Sequence, residues 1–125
     1  MNETGMTETQ GRKHYDLEER TFAFARDVAR FLHSCTQTQA NIEYAKQLIR
    51  SGGSVGANYI EANEALSKKD LVLRIKICRK EAKESCYWLR LLEIPAPDAD
   101  ERRGQLVGEA TELMKIFGSI LQKSQ

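Results

Sequence analysis

Lys76, Lys80 and Lys83 follow one another at steps of four and three residues, which stacks three ammonium groups on one side of an α-helix. Lys69, Arg79 and Arg90 fall within the same third of the circumference at about 100° per residue, with Tyr87 among them. The surrounding segment, residues 67–92, holds eight bases against three acids, so it carries +5 in a chain whose net charge is +1. Neighbouring like charges on an isolated helix repel by a few tenths of a kcal/mol per pair. Two arrangements relieve that. Acids from a neighbouring helix or subunit can pair with the bases, or a polyanion can lie along them and release its counterions, which gives sequence-independent affinity for RNA or DNA. Tyr87 adds a ring on which a base could stack.

Other chemistry is sparsely represented. The two imidazoles are His14, near the N-terminus, and His33, on the outer side of the first expected helix. The Glu-x-x-His pairs from which di-iron bundles build their centres are absent. Glu61, Glu81 and Glu84 have ion-pair partners within reach in Arg50, Arg74 and Lys80, a simpler role than an all-carboxylate metal site. Cys35, Cys78 and Cys86 lack metal-type spacing, and Cys78 and Cys86 lie on or beside an apolar face without a nearby histidine to activate them. Thiols packed in a reducing compartment are expected. No catalytic residue, metal or cofactor is assigned, and the expected protein is not an enzyme.

These side chains must be held by helices. The chain has 125 residues, two prolines and 41% hydrophobic residues, enough for one domain with a single core and no sustained strand alternation. Residues 1–14 read as a flexible tail and 15–125 as the folded domain. The first helix is expected from a cap at Asp16 to about Cys35, with Leu17, Thr21, Phe24, Val28, Phe31, Leu32 and Cys35 on one face. The second covers about 40–64. A third starts after Ser67, with Asp70 as capping partner, and runs to Pro95; a fourth is capped by Asp98 and Glu101 and buries Leu106, Ala110, Leu113, Met114, Phe117, Ile120 and Leu121. Short connections make this an all-α, antiparallel up-down-up-down four-helix bundle. No apolar run is long enough to cross a bilayer and the N-terminal residues lack the apolar core of a secretory signal, so no membrane contact and a cytoplasmic location are expected.

The third helix carries more apolar surface than one bundle position needs. Leu71, Ile75, Cys78, Ala82 and Leu89 form its core face, while Leu73, Ile77, Trp88 and Leu91 make a second strip beside the bases, a candidate subunit interface. On the second helix the stretch RSGGSVGANYIEA places Gly52 and Gly56 at the centre of a face made by Ala45, Leu48, Ile49, Val55, Tyr59 and Ile60. Each glycine costs an interior helical position about 0.5–1 kcal/mol relative to Ala. Close packing against a neighbour, such as Phe24 or Trp88, would account for the cost. GGSVG matches neither the dinucleotide fingerprint nor the lysine-bearing P-loop, and no strand precedes it.

The RSGGSVGANYIEA block, SKKD and the KEAKES-YWL run, with YDLEERTFAFARDV upstream, resemble the bacterial four-helix bundle proteins related to those encoded in intervening sequences of 23S rRNA genes. The resemblance covers nearly all of the chain after the tail. It implies an antiparallel bundle assembled as a homopentamer. Relatives include the basic accessory protein of diversity-generating retroelements, which is associated with reverse transcriptase and nucleic acid. The expectation is therefore a non-enzymatic, oligomeric, nucleic-acid-associated protein binding through Lys69, Lys76, Arg79, Lys80, Lys83 and Arg90. A protein partner such as a reverse transcriptase is also implied. The rival expectation is an interaction scaffold whose charges serve assembly alone.

Overall fold

The computed structural model describes residues 6–124, with side chains from Leu17 onward. Four helices follow one another: α1 (Met6–Leu32), α2 (Gln39–Asn63), α3 (Lys68–Leu91) and α4 (Pro97–Lys123). Each packs on its two neighbours around a ring, α1 on α2 and α4, α3 on α2 and α4, while the diagonal pairs stay apart. This is an all-α four-helix bundle.

The helix starts show how local chemistry sets the boundaries. Thr38 accepts a hydrogen bond from the Asn41 backbone N–H and Ser67 accepts one from the Asp70 N–H, both at 3.0 Å, so each satisfies a donor left orphaned at a helix N-terminus. α4 begins differently from expectation. Its cap position is Ala96, without a side-chain bond, and Pro97 is the first helical residue; a proline fits there because its fixed φ suits the helix and its missing N–H costs nothing. Asp98 and Asp100 therefore lie in the first turn, where they favour the positive end of the helix dipole rather than cap it. α1 begins at Met6, ahead of the expected start at Asp16. The Asp16 and His14 side chains lie outside those described.

Leu17, Phe24, Val28 and Phe31 from α1 meet Leu48, Val55 and Tyr59 from α2, Ile75, Cys78, Ala82 and Leu89 from α3, and Ala110, Leu113, Phe117 and Leu121 from α4, all buried. Two positions on α2 depart from expectation. Ile49 and Ile60 are 54% and 51% exposed, because both sit at the edge of the apolar arc, turned past α1 toward solvent.

Gly52 and Gly56 face α1. A Cβ at Gly52 would stand 3.8 Å from the Phe24 ring and 3.9 Å from Val28, whereas one at Gly56 would come within 2.9 Å of Thr21 Oγ1 and 3.2 Å of Thr21 Cβ. The missing side chain is sterically required only at Gly56. Thr21 is itself held, since its hydroxyl donates to the Leu17 carbonyl at 2.7 Å. Farther round the ring, the α2–α3 seam contains a hydrogen bond between the fully buried Ser51 and Ser85 hydroxyls at 2.9 Å. Small side chains there let the two helices lie close.

Candidate nucleic-acid interface

The orientation of α3 is set by two anchors. Ser67 fixes its start, and at its end Arg103 of α4 reaches over to donate to the carbonyls of Leu92 at 2.7 Å and Arg90 at 3.3 Å while pairing with Asp100 at 2.9 Å. That guanidinium satisfies carbonyls left over at the helix terminus, where cations are also favoured by the dipole. With Ile75, Cys78, Ala82 and Leu89 turned inward, the helical period sends Lys69, Lys76, Arg79, Lys80, Lys83 and Arg90 outward, and all six are exposed.

The six do not form one uninterrupted surface. Lys76, Arg79, Lys80 and Lys83 line a groove of about 910 Å³ between α3 and α4, whose other wall carries Met114, Lys115, Gly118, Ser119, Leu121 and Gln122. Lys69 belongs, with Lys76, to a notch at the start of α3 that also includes Val72 and Leu73. Arg90 lies at the opposite end beside Arg103, Asp100, Gly104 and Val107. Lys76 is thus common to the groove and the first notch.

Five bases and no acid line the groove among the described residues. Among the described residues, none of Lys76, Arg79, Lys80 and Lys83 forms an ion pair; Lys115 lies 3.7 Å from Glu112, a pair largely in solvent. The acids on α3 point elsewhere. Arg50 of α2 lies 3.6 Å from Glu81 and 3.5 Å from Glu84, so these carboxylates close the α2–α3 seam and do nothing to neutralise the α3–α4 groove. Arg74 donates to Asn58 at 3.0 Å. Lys115 and Gly118 were missed by reading α3 alone, because their place opposite Lys76–Lys83 depends on how the antiparallel α4 registers against it.

Leu73 and Leu91 of the second apolar strip are exposed, while Ile77 and Trp88 are half-buried. The Trp88 ring packs 6.2 Å from that of Tyr44 on α2 and edge-on, at 5.0 Å, to that of Tyr87. A different set of large apolar side chains reaches solvent from α1 and α2: Phe22, Ile42, Ile49 and Ile60. The spacing of Ile42, Ile49 and Ile60 by seven and eleven residues keeps them on one edge of α2.

Burial pushes the Cys78 thiol up to about 12, and its Sγ donates to the Val55 carbonyl at 3.4 Å; at neutral pH it is a protonated packing group, not a nucleophile. Cys35 is raised as well by desolvation, against the opposing pull of Arg103 and Arg102. Among the described residues no cluster of three His, Cys, Asp or Glu side chains is placed to hold a metal ion. Nor is any described helix long and apolar enough to cross a membrane.

This fold has a known counterpart. A crystal structure at 1.70 Å of a protein of unknown function from the S23 ribosomal protein family of Bacteroides thetaiotaomicron VPI-5482 is similar at a TM-score of 0.73 and 31% identity, over 84% of this chain and 97% of that one. No curated protein matches the chain. Residues 13–119 match the family described as 23S rRNA-intervening sequence protein. With that match spanning the four-helix bundle, the chain belongs to the 23S rRNA-intervening sequence protein family.

Proposed function

We propose that this protein is a non-enzymatic, self-associating bundle that binds RNA or DNA through the bases of α3. One observation carries the reading: Lys76, Arg79, Lys80 and Lys83 converge with Lys115 on a single groove that no acid lines among the described residues. Bringing five like charges together works against folding, and phosphates laid along the groove would reverse that repulsion into attraction. Lys69 and Arg90 extend the contact at the two ends. Self-association, as a pentamer by the resemblance, uses the apolar side chains left in solvent, Leu73 and Leu91 with the partly covered Ile77 and Trp88, and Phe22, Ile42, Ile49 and Ile60 on α1 and α2.

The test is a titration of a fluorescein-labelled RNA hairpin and a labelled single-stranded DNA at 50 and 200 mM salt, with wild type and a Lys76→Ala, Lys80→Ala, Lys83→Ala variant. Binding at low salt that weakens steeply with salt and is lost in the variant supports the reading. Absence of binding at low salt, or equal binding by the variant, rejects it in favour of a scaffold whose charges serve assembly. Sedimentation of the wild type at micromolar concentration decides the oligomer: a monomer rejects it.

A further inference from the structure

We infer that the α3–α4 groove takes double-helical nucleic acid by its phosphates, in preference to a single strand. The inference rests on the nucleic-acid reading above and adds the form of the ligand.

Three features select a duplex. The first is charge density. From Lys76 to Lys83 the helix rises only about 10 Å, over which one strand of a duplex presents about three phosphates and both strands together about six. Five cations line that length of groove, more than one strand could engage and close to what two supply. They also come from two walls: Lys115 stands on α4, opposite the α3 bases, and packed helix axes lie about 8–10 Å apart. Phosphate rows flanking a minor groove of about 6 Å can meet cations arranged in that way.

The second feature is the lack of a stacking platform. Proteins that hold single strands without sequence preference place successive bases on aromatic rings, yet among the described residues no aromatic lines this groove. Tyr87, the aromatic on the basic side of α3, lies outside the groove and is engaged edge-on with Trp88. The third is a low wall. A Cβ added at Gly118, on the α4 side of the groove, would meet nothing within 4 Å, so at this point no side chain rises to keep a wide, stiff rod away from the bases.

The full chain is titrated by fluorescence anisotropy into a labelled 20-base-pair DNA duplex and into labelled oligo-dT of 20 nucleotides, each at 50 and 200 mM KCl. The duplex is expected to bind at least tenfold more tightly at 50 mM. With five phosphate contacts, one engaged groove predicts a slope near −4.5 in log K against log salt, about a 500-fold loss between the two salts, and more grooves a steeper one. Lys115→Ala should flatten the duplex slope by about 0.9 per engaged groove, and Gly118→Glu should weaken duplex binding, with circular dichroism confirming that both variants fold. If the oligo-dT binds as tightly as the duplex or more so, or if folded Lys115→Ala leaves the duplex slope unchanged, the inference is overturned while nucleic-acid binding through α3 stands. If neither probe binds, the reading it rests on falls too.

Discussion

Asn41 and Glu93 exchange two hydrogen bonds between opposite halves of the chain: Asn41 Nδ2 donates to the Glu93 carbonyl at 2.7 Å, and the Glu93 backbone N–H donates to Asn41 Oδ1 at 2.9 Å. The same amide nitrogen donates to the Thr36 carbonyl at 2.8 Å. One buried side chain, 3% exposed, therefore ties the α1–α2 connection to the α3–α4 connection at one end of the bundle.

Removing that amide leaves backbone groups at this end without their partner. Asn41→Ala should cost about 2–4 kcal/mol, and Asn41→Asp, which sets a buried carboxylate oxygen against the Thr36 and Glu93 carbonyls in place of the donor, at least as much. Urea unfolding followed by circular dichroism measures both. A loss below about 0.5 kcal/mol in each would mean that water replaces the clamp freely.

The two glycines facing α1 should separate on substitution. Gly56→Ala drives a methyl group into Thr21, whose hydroxyl and Cβ lie 2.9 and 3.2 Å from the new atom, and should destabilise by about 1–3 kcal/mol. Gly52→Ala meets ordinary contacts and should be neutral or stabilising by up to about 1 kcal/mol, the usual helix-propensity difference. Combining Gly56→Ala with Thr21→Ala should recover part of the loss. Equal effects of the two glycine substitutions would refute this account of the α1–α2 contact.

Alkaline pH should unfold the protein partly through Cys78. Its folded value is raised from 9.0 to about 12 by desolvation, so the folded state retains a proton that the unfolded state releases. The corresponding stability is complete below pH 9 and is lost as pH rises from 9 toward 12. Cys35 and Tyr59 are also raised, by desolvation first, and add in the same direction. Unfolding midpoints at pH 8, 9.5 and 10.5 should fall more for wild type than for Cys78→Ala, after allowing for the lower starting stability of the variant. Parallel curves would show that ionisation of this thiol is not coupled to folding.

Lys76, Lys80 and Lys83 of the α3–α4 groove should contribute nothing favourable to folding. Lys76→Ala, Lys80→Ala and Lys83→Ala together remove like-charge neighbours and no ion pair among the described residues, so stability should stay level or rise by a few tenths of a kcal/mol. A thermal melt beside the binding titration makes the comparison. A drop of more than about 1 kcal/mol would assign these lysines a structural role that the seen contacts lack.

Much of this architecture was legible residue by residue. A helix repeats its environment about every 3.6 residues, so the spacing of Leu17, Phe24, Val28 and Phe31, or of Ala110, Leu113, Phe117 and Leu121, already says which way each side chain faces, and burial agrees. The Ser67 cap was equally local, since its partner Asp70 is three residues away. Errors came at the margins of faces and at two helix starts, α1 opening at Met6 ahead of Asp16 and α4 at Pro97. Ile49 and Ile60 lie where the apolar arc meets solvent, and the wheel angle alone cannot say how far a neighbour's cover extends; at α4 the fit of Pro97 to a first helical position moved the start ahead of Asp98.

What the chain by itself determined is the set of helices, their inward faces and the basic side of α3, because all of these depend on intervals of three or four residues. Tertiary structure alone decided that Thr21 lies beneath Gly56, that Asn41 meets Glu93, and that Lys115 and Gly118 stand across from Lys76–Lys83. Those relationships join residues far apart in sequence. They depend on the axial register of one rod against the next, which is set when side chains of all four helices interlock around a common core.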